Sequence, residues 1–420
     1  MRKLNVYIKE NPQKVIHVGT LAETTAGKVY FEYDSSYLKT GFNISPFKLN
    51  FISGLQENKD SYPRESFGVF NDSLPDGWGM LLMDRFFRKH NKALKDITII
   101  DRLAYIGSRG MGALTYEPAS ETDNVQDNLL DLLKLSENSI EVLQGKTDEI
   151  LPVMTKAGGS PGGARPKILV GFNGTELISG ESELPEGYEH WLIKFRNPND
   201  FTDAAKLEYV YAQMAKLACV NIPEFRLFSD KQGNSYFGVK RFDRETGNKR
   251  NHVLTLGNMI HADFRMPSID YETLLKVTLN LTKNYEDAIT AFRMMVFNVA
   301  AHNRDDHSKN FAFIMNNGGT WSLAPSYDLT FSLGPGGEHT TSVSGNGKNP
   351  SSKEILKLAS LIDMKPDKAK EIITETCEVV RQFSKLAKDI GITRSTINEI
   401  YSNISALEIM RILPKNKEFI

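Results

Sequence analysis

The sequence predicts an α+β fold, with an antiparallel, β-rich N-terminal domain followed by a mainly helical C-terminal portion. Three observations carry this expectation. Apolar and polar residues alternate over the first forty positions, and apolar residues recur at helical spacing after about residue 251. The chain has 420 residues, more than one ordinary hydrophobic core accommodates, so two or three units are expected.

The N-terminal domain is expected over residues 1–118. Leu4, Val6 and Ile8, then Ile16 and Val18, then Val29, Phe31 and Tyr33 alternate between the turns "ENPQK" and "TTAGK", the period of an antiparallel meander. From Asp76 to about His90, Trp78, Leu82 and Phe86 fall every fourth residue and mark one helical face. "IGSRGMGALTYEP" reads as a glycine-rich loop returning into a strand. Residues 119–150 are polar with one short amphipathic helix, and are expected to be a connecting segment.

A second unit opens within 151–250. "KAGGSPGGARPKILVGFN" is a glycine-dense turn running into Ile168, Leu169 and Val170, and the strand "EHWLIKF" follows. Leu207, Val210, Tyr211, Met214, Leu217 and Ala218 form a helical stripe with Thr202 or Asp203 as its N-cap. "SYFGVKRF" is the next strand. In the helical portion, 251–420, Ile289, Phe292, Val296 and Val299 mark a helix face. "NFAFIMNNGGTWSLAP" reads as a hairpin turning on Asn-Asn-Gly-Gly. Residues 333–351, rich in Gly, Ser and Asn, are expected to be mobile. Helices are expected to start near Pro350, near Pro366 and after Thr393.

Composition narrows the function classes. The 51 basic residues against 52 acidic ones leave a net charge of −1, so no broad basic field drives nucleic-acid binding, and DNA contact would need a local patch or a partner. Cys219 and Cys377 lie far apart in helical patterns and offer neither a disulfide framework nor a thiolate metal cluster, which fits a reducing cytoplasm. "MRKLNVYIKENPQK" carries charges where a secretory leader needs an apolar stretch. No apolar run approaches the roughly 20 residues of a bilayer span, so a soluble chain without membrane contact is expected.

The chemistry concentrates in "HNRDDHSKNFAF", His302 to Phe313. Asp305, four residues and Asn310 reproduce the spacing of a kinase catalytic loop, where the Asp orients the substrate hydroxyl and the Asn holds Mg²⁺. A neutral amide oxygen is a hard ligand suited to Mg²⁺, and Asp328, in "APSYDL", supplies a second carboxylate just past the hairpin. A solvated loop capping a helix is the plain alternative, although the apolar flanks hold this run close to a core where unpaired polar groups are costly. "GGSPGGARPK", containing Ser160, Gly162, Gly163 and Lys167, precedes a strand as a phosphate-covering loop does, and is also compatible with a flexible turn. Lys194 sits in an apolar strand with Glu208 on the following helix as candidate partner; a lysine reaching water from an edge strand is the alternative. Glycine loop, strand lysine, helix glutamate, Asp-x₄-Asn loop and later Asp occur in kinase order, which predicts a bilobal protein-kinase-like arrangement.

These residues resemble the HipA family, the Ser/Thr kinase toxins of bacterial type II toxin–antitoxin systems. "VKRFDR", "DDHSKNFAF" and "LAPSYDL" are similar to that family's hinge, catalytic and metal motifs, and "FNDSLPDGWG" and "YIGSRGMGAL" to its N-terminal domain. The resemblance implies ATP and Mg²⁺ as cofactors, Asp305 as catalytic base, Asn310 and Asp328 as metal ligands, and Lys194 on the ATP phosphates. It also implies a hinge around Lys240 and Phe242 on the adenine, with Asp243 and His307 on ribose or phosphate, and inhibitory autophosphorylation at Ser160 in the glycine loop. Implied partners are a protein substrate such as an aminoacyl-tRNA synthetase, and a small helix-turn-helix HipB-like antitoxin through which operator DNA is reached. Three positions depart from some relatives: Arg165 and Pro166 replace Gln-Glu before Lys167, and Lys240 replaces a glutamate.

Two rival readings remain at this point. His302, Asp305, Asp306 and His307 could bind a transition metal in a phosphohydrolase. Alternatively the chain is a catalytically inactive kinase-like corepressor, against which the intact Asp305, Asn310 and Asp328 argue.

Overall fold

The structure, a computed structural model, describes residues 2–120, 130–145, 154, 163, 165–180 and 183–411. The chain divides into two compact units: residues 1–200, 224–261 and 313–321 form the first, and 201–223, 262–312 and 322–420 the second.

The first unit carries two antiparallel five-stranded sheets. In one, the order is Gln56–Glu57, Val29–Tyr33, Lys14–Glu23, Arg2–Asn11 and Leu114–Glu117. The alternation read from the sequence is its burial pattern: Leu4, Val6, Ile8, Val18, Phe31 and Tyr33 all point into a core. Val6 pairs with Gly19, where a side chain would meet the Glu32 carbonyl oxygen at 2.2 Å, so only glycine allows the strands to close there. Helix Gly77–Lys89 buries Trp78, Leu82 and Phe86 as its spacing predicts.

The other sheet runs Leu177–Ser179, Lys167–Phe172, Glu189–Lys194, Ser235–Lys240 and Phe225–Ser229. Strand Lys167–Phe172 is buried at every position. Ile168, Val170, Trp191, Ile193 and Phe228 pack with Trp78 and Leu82 and with the amphipathic helix Leu132–Leu143 of the connecting segment. Full burial of side chains this large contributes about 1.5–3 kcal/mol each. The sequence reading missed the flanking strands Leu177–Ser179 and Phe225–Ser229; the first is three residues long and the second alternates over only five.

Two buried histidines give this unit an acid-sensitive stability. His252 shares a hydrogen bond with the Ile44 carbonyl through Nε2 at 2.9 Å, and His190 meets Asn248 Oδ1 at 2.9 Å. Burial pushes each imidazole down to about 4, helped at His190 by the charge of Arg241. The folded state therefore binds fewer protons than the unfolded chain between pH 6.5 and 4, and stability falls as pH falls through that window. We expect a loss on the order of 1–2 kcal/mol per histidine at pH 5 relative to pH 7, read from urea unfolding. Equal stabilities at the two pH values would contradict this, and His252→Phe should flatten the slope.

The second unit is mainly helical. In helix Ala204–Leu217, Leu207, Val210, Tyr211 and Met214 are buried, as is Ala218 just beyond it, but Leu217 is 54% exposed. Ten residues beyond Leu207, Leu217 lies about 80° round the helix from it, about 20° past the buried Val210 and at the edge of the stripe in the last turn. Asp203 occupies the N-cap but makes no capping bond; its carboxylate accepts from Thr393 N at 3.0 Å instead. Helix Tyr285–Ala300 is buried almost all round from Ala288 onwards, with Tyr271–Thr282 and Pro366–Val380 packed on it. Helix Ser352–Leu361 starts from a capping box of Ser351 and Glu354, and Arg394–Ala406 follows Thr393; the unforeseen Phe383–Asp389 precedes it. The hairpin strands Ala312–Met315 and Trp321–Leu323 flank the expected turn. Among the described residues no helix is long and apolar enough to cross a membrane.

Candidate active site

In the second unit, helix Tyr285–Ala300 delivers the polar run. Its end is fixed by Tyr211, whose hydroxyl donates to the Ala301 carbonyl at 2.7 Å. The backbone then turns through His302 in the left-handed region, φ 55°. The two adjacent aspartates that follow have opposite fates. Asp306 is 1% exposed, and its carboxylate accepts from Tyr271 Oη at 2.7 Å, His339 Nδ1 at 2.8 Å, Thr340 N at 2.8 Å and Thr341 N at 3.3 Å. Asp305 is exposed. Burying one neighbour in a satisfied network is what fixes the other at the surface.

The same knot organises the Gly, Ser and Asn-rich segment 333–351, expected from composition to be mobile. Asp306 takes the donors of residues 339–341, Arg304 donates to the carbonyls of Gly337 at 2.5 Å and Lys348 at 2.7 Å, and Asp270 accepts from Ser342 and Gly345. Composition could not reveal this, because the anchoring carboxylates lie outside the segment.

Asn310 donates from Nδ2 to the Asp305 carbonyl at 2.7 Å. Its amide N–H₂ is thus engaged by the loop, and its oxygen end is the one left for a ligand. Tyr327 donates to the Lys309 carbonyl at 2.6 Å, holding the residue before Asp328 beside the residue before Asn310. Asp328 itself has φ 54°, a left-handed conformation that Asp tolerates better than most residues. These bonds tie Asn310 to the Asp305 backbone and Tyr327 to the Lys309 backbone, and an amide oxygen with a carboxylate is a hard-oxygen donor set of the kind that fits Mg²⁺. The His307 ring lies 5.4 Å from that of Phe264, with Lys309 Nζ 5.0 Å from the same ring, and the buried Nδ1 of His307 has no hydrogen-bonding partner.

The transition-metal reading is not supported. Among the described residues no group of three His, Cys, Asp or Glu side chains is placed to hold a metal ion. His302 bonds through Nδ1 to the Ser332 carbonyl at 3.0 Å against Phe331, burial and the charge of Arg304 keeping its pKa down, while Asp306 is consumed in the knot. The residues alternate around a loop instead of converging on a point.

In the first unit, Lys194 pairs directly with Lys167 across neighbouring antiparallel strands, and with Phe237 on its other side. Both lysines are nearly buried, at 9% and 4%, and Lys194 Nζ lies 5.7 Å from the Phe237 ring centroid. At Gly163, φ 96°, an added Cβ would fall 2.6 Å from Lys167 Nζ, so glycine lets the loop backbone lie against that amine. Arg165 turns to Asp200 at 3.0 Å, and the Pro166 carbonyl accepts from Phe195 N. Ser160 and Gly162 lie outside the described residues.

At the hinge, the Lys240 side chain ion-pairs with Glu189 and Glu224, and its N–H donates to the Glu224 carbonyl at 2.8 Å. Phe242 is half-buried. Asp243 corrects the sequence reading. It is fully buried, accepts from Arg241 Nε at 3.0 Å, Arg244 at 2.6 Å and Gly112 N at 2.7 Å, and is held well below the usual carboxylate range by those guanidinium groups despite its burial. Its work is to tie "VKRFDR" to the glycine-rich loop "YIGSRGMGAL", not to meet a ribose. Glu208 is buried on helix Ala204–Leu217 of the second unit. Sequence reasoning missed Tyr271, His339 and Tyr327, whose only signal is polarity in otherwise apolar or glycine-rich surroundings.

Residues 159–384 match the HipA-like C-terminal domain family, and residues 4–117 match the HipA N-terminal domain family. The chain belongs to the HipA family. Its fold is similar to that of HipA in the Shewanella oneidensis MR-1 toxin–antitoxin complex of HipA, HipB and operator DNA, with a TM-score of 0.68 over 97% of this chain and 96% of that one at 14% identity. It also matches the Helicobacter pylori proinflammatory kinase CtkA, with a TM-score of 0.33 over 51% of this chain and 92% of that one at 12% identity. The expected α+β fold with a β-rich N-terminal part is therefore the HipA fold.

Proposed function

We propose that this HipA-family chain is an ATP- and Mg²⁺-dependent protein Ser/Thr kinase, the toxin of a toxin–antitoxin module. The observation that carries the proposal is the Asp-x₄-Asn loop, in which Asp305 stands exposed next to buried Asp306, Asn310 bonds the Asp305 carbonyl, and Tyr327, the neighbour of Asp328, bonds the Lys309 carbonyl. Asp305 orients the attacking Ser or Thr hydroxyl and receives its proton. Asn310 and Asp328 hold Mg²⁺, which when bound neutralises charge on the phosphates. Lys194, with Lys167, takes the phosphate end of ATP, His307 contacts it from the loop, and backbone groups near Lys240 and Phe242 take the adenine. Phosphorylation of Ser160 shuts the kinase off by placing a dianion in the glycine loop.

The module assignment extends the likeness to HipA in its complex with HipB and operator DNA. On this reading a small helix-turn-helix antitoxin neutralises the chain in the cytoplasm and carries it to DNA, and the substrate is a host protein such as an aminoacyl-tRNA synthetase. Residues 1–118 form the N-terminal domain, 151–250 the nucleotide-binding portion and 251–420 the catalytic portion. The test is incubation of the full chain with γ-labelled ATP, with and without host lysate, followed by phosphosite mapping. Label on Ser160 and on a lysate protein is expected, and absence of any Mg²⁺-dependent label would remove the proposal.

Tyr327→Phe offers a finer check. Losing the bond to Lys309 should cost about 1 kcal/mol of stability and loosen Asp328, so the Mg²⁺ concentration giving half-maximal phosphotransfer should rise several-fold. An unchanged Mg²⁺ dependence would show that the Tyr327 bond does not support the metal site.

A further inference from the structure

Away from the residues assigned to phosphotransfer, the first unit contains a pocket of about 470 Å³ lined by Lys9, Ser108, Arg109, Ser120, Glu183 and Arg250, among others. Its size falls in the range of small-molecule sites. Its charge is unusual. Arg250 is 6% exposed and donates to the Ser108 carbonyl at 2.8 Å; among the described residues its guanidinium makes no other hydrogen bond. Behind it, Arg241 and Arg244 share the single carboxylate of Asp243. At the lining Lys9 pairs with the half-exposed Glu183, whose charge also reaches Arg250. Three guanidinium groups against one carboxylate thus leave a buried excess of two positive charges, three minus one, whose only member on the pocket wall is Arg250. The strain registers in the titration of Arg250, which burial, together with the charge of Arg241, pushes down to about 10.

Charges withdrawn from water need a counter-charge, and a guanidinium with open N–H groups recognises oxyanions in a fork geometry. A carboxylate would offset half of this excess. A phosphate monoester, close to a dianion at neutral pH, would offset nearly all of it. We propose that this pocket binds a small phosphorylated metabolite, its phosphate against Arg250 with the Ser108 and Ser120 hydroxyls at hand and its organic body filling the remaining volume. The ligand is a regulator or stabiliser distinct from ATP, because none of the residues assigned to phosphotransfer lines this pocket.

The experiment is calorimetric titration of the full chain with glycerol 3-phosphate, and with glycerate as the carboxylate counterpart. We expect saturable one-to-one binding of the phosphate and at least about tenfold weaker binding of glycerate. Arg250→Gln should weaken glycerol 3-phosphate by at least about tenfold. Because that buried change can compromise folding, Ser120→Glu provides a second arm: it puts a carboxylate into the lining and should abolish phosphate binding in a chain with a wild-type melting transition. Asp328→Asn separates this pocket from the kinase reading and should leave the affinity within about twofold. The proposal is overturned by absence of binding in the wild type, by glycerate binding as well as the phosphate, by undiminished binding to folded Ser120→Glu, or by loss of binding in Asp328→Asn.

Discussion

Asp305→Ala is expected to lose phosphotransfer by at least about a hundredfold, the contribution of a positioned general base, with its melting transition almost unchanged. Asp305 is exposed, and substitutions at such positions usually shift stability by no more than about 0.5 kcal/mol. The measurement is initial-rate incorporation of label from ATP, alongside calorimetric unfolding of the same preparation. Retained activity would remove Asp305 from the mechanism. Lost activity together with a large fall in melting temperature would mean that it supports the fold.

The adjacent change should do the reverse. Asp306→Ala removes the acceptor of a phenol, an imidazole and two backbone amides, all buried. Breaking such a network costs about 3–5 kcal/mol, since the abandoned donors find no water. Segment 333–351 should then detach. We expect a markedly lower denaturant midpoint and rapid protease cleavage within residues 333–351, both absent in Asp305→Ala. A variant at position 306 as stable as wild type would show that the knot does not hold the loop.

This pair also shows how far the sequence could be read. The spacing from Asp305 to Asn310 was legible because a catalytic loop is local, and the meander was legible because its burial follows a period of two. Which member of the Asp-Asp pair goes inside was not legible, since the choice is made by Tyr271 and His339, more than thirty residues away on either side. The burial of Asp243 was illegible for the same reason: its partners include Gly112 N, far back in the chain. Leu217 is exposed at the edge of its stripe in the last turn, where spacing alone does not settle burial. The two short strands beside Lys167–Phe172 and Ser235–Lys240 exist because neighbours supply a ladder, and they carry little pattern of their own.

The alternation of the chain between its two units has a consequence for synthesis. The first unit lacks its last piece until residue 321 has been made, and the second is begun at residue 201 yet finished only with the closing helices. A nascent polypeptide halted by a premature stop codon before position 322 therefore leaves both units incomplete. Gene disruption along most of this reading frame should yield material for the quality-control proteases, without a surviving half able to act alone.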